Sequence, residues 1–138
     1  MRFIVATGIA LTISTPSLAD SPAGAYFLPY QELPNGQAQL NTLKIFYDKG
    51  TFKSYIEYNR CLEIYESTWT VQGDVLTIKV GDYLVKCPFS FEAPTASSTV
   101  QFRHLPDGLA VRQGSKQTFW PNATSDEIKG MLSCCAFP

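Results

Sequence analysis

Between Leu43 and Phe91 the chain strings together the β-rich runs LKIFY, TFKSYIEY, CLEIYESTWTV, VLTIKV and YLVKCPFSF, separated only by DKG, NR, QGD and GD. A parallel crossover needs about a dozen residues or more, so gaps this short fold neighbouring runs back on each other as antiparallel hairpins. The centre of the chain is therefore an up-and-down meander. Further short runs follow at Thr99 to Arg103, Gly108 to Arg112 and Gln117 to Trp120, and Ala25 to Leu28 precedes it. The fold class expected is all-β, an antiparallel meander of about eight strands closing into a small barrel. Closure rests on the short first strand, and an open sandwich is the alternative.

Alternation assigns faces, because successive side chains on a strand point to opposite sides. Phe52, Ile56 and Tyr58 share one side and Lys53, Tyr55 and Glu57 the other, while Leu76, Ile78 and Val80 oppose Thr77 and Lys79. Tyr83, Val85, Cys87, Phe89 and Phe91 form one apolar face, with Pro88 marking an edge or bulge. The run from Cys61 to Val71 changes phase: Leu62 and Ile64 have one parity, Trp69 and Val71 the other. A β-bulge near Tyr65 to Ser67 is expected to bring both pairs to the same side. Tyr55 and Phe46 read as outward aromatics.

Met1-Arg2, the apolar stretch Phe3 to Ile13 and Ser17-Leu18-Ala19 read as an export signal, residues 1–19, cleaved before Asp20. Residues 20–138 then form a single domain, periplasmic or extracellular, with no transmembrane segment in the mature chain. The formal net charge is −1 with the signs interspersed, and no basic stripe points to nucleic acid.

Cys61, Cys87, Cys134 and Cys135 form an even set, which in an exported chain favours disulfides. If 75–80 and 83–91 are separate strands, Cys61 and Cys87 stand two strand spacings apart, roughly 9.5 Å, beyond the roughly 7 Å limit for a bridge. The expectation is that the C-terminal tail crosses the sheet and bonds one of its cysteines to Cys61 and the other to Cys87. Thr124-Ser125-Asp126-Glu127 has the form of a capping box, opening a short helix that Gly130 weakens or ends. Asn122-Ala123-Thr124 fits a glycosylation sequon, relevant only in a eukaryotic source.

Gly24-x-Tyr26, Leu43-Lys44-Ile45-Phe46 with Asp48-Lys49-Gly50-Thr51-Phe52, and Trp69-x-x-x-Gly73-Asp74-x-Leu76-Thr77-Ile78 resemble small exported bacterial lipocalin-like barrels. Tyr26 stands where lipocalins carry Trp. The resemblance implies a barrel whose mouth holds a small apolar ligand, and it carries over no catalytic residue.

Chemistry is sparse in the sequence. His104 is the sole histidine, beside the Leu105-Pro106-Asp107-Gly108 turn, and reads as a surface residue. Glu57, Glu63 and Glu66 could pair as carboxylates but read as the polar face of a sheet. No metal-ligand spacing is present, and neither a cofactor nor enzymatic activity is expected. The aromatics carry more information. Phe52, Tyr58, Trp69, Phe89 and Phe91 are the inward candidates, filling the interior or lining a pocket for one small ligand. Two functions fit: a carrier or sensor binding a small apolar ligand, and a protein-interaction module such as a hydrolase inhibitor or an envelope accessory protein.

Overall fold

The two-residue gap at Asn59-Arg60 turns the chain back on itself. Both residues take positive φ, 43° and 70°, the geometry of a type I′ turn whose twist matches its flanking strands. Repeated tight reversals of this kind build the sheet. In the computed structural model, which describes residues 21–88 and 97–135, the strands are β1 (Gly24–Leu28), β2 (Gln31–Glu32), β3 (Ala38–Gln39), β4 (Thr42–Phe46), β5 (Thr51–Tyr58), β6 (Cys61–Gln72), β7 (Val75–Val85), β8 (Ser98–Leu105), β9 (Gly108–Gln113) and β10 (Lys116–Pro121). One helix, α1 (Ser125–Ser133), follows them.

Eight strands form one antiparallel sheet in the order β1-β4-β5-β6-β7-β8-β9-β10, and β2 pairs with β3 in a separate small hairpin. The two ends of the large sheet meet: Tyr26 bridges to Asn122, and the Ala123 N–H donates to the Ala25 carbonyl at 2.9 Å. The sheet is thus a nearly closed barrel, as the meander implied. Its interior packs Tyr26, Phe46, Phe52, Leu76, Ile78, Phe102, Leu109 and Val111. A second cluster, Leu43, Tyr55, Leu62 and Met131, lies outside, where α1 covers β1, β4, β5 and β6. Thr124 caps that helix as expected, its hydroxyl accepting from the Glu127 N–H while Glu127 accepts from the Thr124 N–H. The helix continues through Gly130 to Ser133 instead of stopping there.

The outer cluster explains the phase change in β6: the register with β7 does shift beside Tyr65 to Ser67, where a bulge was expected, but it does not bring the two halves of β6 to one side. The β5–β6 register runs without a slip from Thr51↔Thr68 to Tyr58↔Cys61. Leu62 and Ile64 belong to the outer cluster and Trp69 and Val71 to the inner one, so β6 is covered first outside and then inside. Phe46 is likewise inward, paired with Phe52, while its neighbour Ile45 packs outside. Strand β4 is apolar on both sides, and alternation alone gave no sign of which side faced in.

Register slips do occur, but on β7. From Ser67↔Val80 to Tyr65↔Tyr83 to Ile64↔Val85, each step gives β7 one more residue than β6. Gly81 sits at the first slip, where a Cβ would collide with the Glu66 carbonyl. Gly81-Asp82 is therefore no turn, and β7 continues through it beside β6.

This corrects the disulfide pairing. Cys87 follows a strand adjacent to that of Cys61, not two strands away, and the two are bonded with Cα atoms 5.9 Å apart. Cys134 and Cys135 are bonded to each other at the end of α1. The tail is held to the barrel by the apolar contacts of Ile128, Met131 and Cys135, with no covalent link to the sheet.

The two glycines predict opposite outcomes. Gly81→Ala should destabilise by about 1–3 kcal/mol, because backbone must shift to admit the methyl. Gly130→Ala, in a helix with open space around it, should stabilise by roughly 0.5–1 kcal/mol. Urea unfolding of both variants checks the pair.

Candidate functional site

Aromatic packing divides the barrel interior into a filled end and a hollow one. At the filled end Tyr26 is fully buried, its hydroxyl donating to the Pro22 carbonyl at 2.6 Å, and burial pushes its phenol up to about 12. Its ring meets those of Phe46, His104 and Trp120 at centroid distances of 6.0, 6.4 and 6.4 Å. Gly24-x-Tyr26 therefore closes the base of the barrel. Toward the turn between β9 and β10 the side chains no longer meet, leaving a cavity of about 280 Å³.

Each wall of the cavity comes from inward positions of a paired strand. Phe52, Tyr65, Ile78, Val80, Val100, Val111 and Trp120 form its apolar surface, and Ser98, Gln113, Lys116 and Thr118 lie toward the rim. Gln113, Lys116 and Thr118 are exposed. Burial raises the Tyr65 phenol. Two polar groups sit in the wall itself, Lys44 and Ser67. Ser67 is only 2 % exposed, and its hydroxyl has no hydrogen-bond partner among the described residues. An unmet buried hydroxyl costs about 1–3 kcal/mol.

Lys44 is inward because its register partners are Tyr26 and Ser54, both on the inner side. Its ammonium lies 4.9 Å from the Trp120 ring centroid and 5.7 Å from that of Phe52, a cation–π setting on two rings. Among the described residues no carboxylate pairs with it. Burial pulls its pKa down to about 8.

Of the residues singled out in the sequence, Phe52 lines the cavity. Trp69 belongs to the core below it, its indole N–H shared between the Tyr47 and Thr51 carbonyls at 2.9 and 3.1 Å. Tyr58 ends β5 opposite Cys61. Phe89 and Phe91 lie outside the described residues. Lys44, Tyr65, Ser67, Val100 and Trp120 went unrecognised. Ser67 and Lys44 are polar residues at inward positions of runs whose phase was ambiguous, and only the register reveals them.

The residues considered for chemistry are dispersed. Glu63 is buried and accepts the Cys87 N–H at 3.2 Å, whereas Glu57 accepts from the Asn41 side chain at 3.2 Å on the other face. His104 is partly buried against Tyr26, not a surface turn residue. Glu57 also approaches Cys134 and Cys135 within 4.8 Å, but the two sulfurs are bonded to each other and offer no thiolate.

Lys44 makes folding depend on pH with a definite sign. Its pKa falls from 10.5 to about 8 on folding, so between these values the unfolded chain holds a proton that the folded chain lacks, and stability rises with pH. The raised pKa values of Tyr26 and Tyr55 act in the opposite direction only above pH 10. Below pH 8 the buried charge costs on the order of 3 kcal/mol. Lys44→Met should therefore raise stability at pH 7 by that order, with the gain shrinking from pH 8 to 10. Urea midpoints of both proteins across that range check it.

No protein-family model matches this sequence, and no curated protein is similar to it. Among solved structures, a lipocalin-like protein from Bacteroides uniformis superposes with a TM-score of 0.53 at 15% identity, covering 75% of this chain and 99% of that one. At this identity the likeness concerns the fold alone: the chain has a lipocalin-like β-barrel fold.

Proposed function

We propose that the protein is an exported binding barrel, a carrier or sensor that holds one small, largely apolar ligand inside its open end. The observation that carries this reading is the cavity of about 280 Å³ with its wall of Phe52, Ile78, Val100, Val111 and Trp120. Apolar walls with a few placed polar groups are what small-ligand sites share. A cavity of about 150 Å³ is enough for benzene. Export rests on the signal-like residues 1–19 and fits a chain with two disulfides. No helix of the described residues is long and apolar enough to cross a membrane. The scatter of Glu57, Glu63 and His104 supports a non-enzymatic role.

A second reading, a protein-interaction module, draws on a different surface. Phe119 is 42% exposed on a hollow of about 630 Å³ formed with Gln101, Arg103, Leu105 and Arg112 on the outer side of β8, β9 and β10.

Native mass spectrometry of the protein taken from its own host separates the two. The binding reading expects one small adduct per chain on the wild type and its loss in Val100→Phe, whose added ring fills the cavity, with the unfolding midpoint little changed. A wild type that carries no adduct and takes up none from a host lipid extract contradicts it.

A further inference from the structure

We infer that the ligand is an amphipathic anion, a carboxylate on an apolar body of roughly a dozen non-hydrogen atoms, with its head group held by Lys44 and the Ser67 hydroxyl. This deepens the binding reading above and rests on it. Three observations converge on the head group. Lys44 presents a positive charge to the cavity with no carboxylate opposite among the described residues, resting on Trp120 and Phe52 at 4.9 and 5.7 Å. The Ser67 hydroxyl, nearly wholly buried in the same wall, is a donor with no acceptor among the described residues. Lys116 adds a second cation at the rim, and among the described residues no acidic side chain lines the cavity.

A neutral ligand would leave a desolvated ammonium beside it, and a cation would meet Lys44 head on. A carboxylate supplies the missing counter-charge and accepts both from the ammonium and from Ser67, the charge-assisted arrangement that is stronger than neutral pairing. Burial lowers the pKa of Lys44, and an anion bound beside it would favour its charged form. The remaining wall of valine, isoleucine and aromatic side chains suits the apolar body, which points the head inward.

The inference is tested by calorimetric titration at pH 7 with decanoate and with 1-decanol, which share a chain and differ in the head. Decanoate should bind at least tenfold more tightly than decanol. Lys44→Met should abolish that preference by weakening decanoate about tenfold or more and leaving decanol within threefold. Ser67→Ala should weaken decanoate several-fold, and Lys44→Arg should retain the preference, which separates charge from damage to the fold. Equal affinities for the two probes, or a preference that survives in Lys44→Met, overturns the anion while leaving the binding barrel standing. Failure of both probes to bind overturns both readings.

Discussion

The architecture depends on the closure made at Tyr26. A sheet has an inside only if its last strand reaches its first, and here that junction is thin: a bridge from Tyr26 to Asn122 and one further backbone hydrogen bond from Ala123 to Ala25. Side-chain packing supplements the sparse ladder. From β1 the Tyr26 ring reaches residues of β4, β8 and β10, touching Phe46, His104 and Trp120, and its hydroxyl fastens the chain just upstream at Pro22. Aromatic pairs of this geometry contribute about 0.5–1.5 kcal/mol each beyond area burial. Filling the base so fully is what allows the opposite end to remain hollow.

Burial on both sides of β4, β5 and β6 follows from the same closure. Once the inner face is committed to the barrel, the apolar residues of the other parity need a second cover. Helix α1 provides it with Ile128 and Met131 laid on Leu43, Tyr55 and Leu62. The C-terminal segment is thereby an integral part of the domain, held by apolar packing.

Much of this was written in the sequence where a single signal dominated. Gap length gave the meander, and the Thr124 to Glu127 spacing gave the start of the helix. What stayed hidden lay where two signals competed. Gly81-Asp82 has the composition of a turn, yet Gly81 serves a close approach to the Glu66 carbonyl within a continuing strand. That one misreading split β7 and set Cys87 apart from Cys61. Phe46 and the phase of β6 were ambiguous for another reason: periodicity shows that a strand has sides but not which one faces a helix. The cavity residues share this fate. Lys44 sits within Leu43-Lys44-Ile45-Phe46, where its neighbours dominate the reading, and only its pairing with Tyr26 and Ser54 turns it inward.

The inner wall thus combines a charge that burial penalises, a hydroxyl without a partner and space that the protein's own side chains leave open. Stability alone would replace all three with packed hydrocarbon, so this end of the barrel is shaped for another occupant. The most direct measurement is a methyl-resolved NMR titration with decanoate. If the account holds, Ile78, Val80, Val100 and Val111 shift and show contacts to the added chain, while Leu43, Leu62, Ile128 and Met131 on the outer face stay still. Shifts confined to the outer methyls, or to none at all, would contradict it.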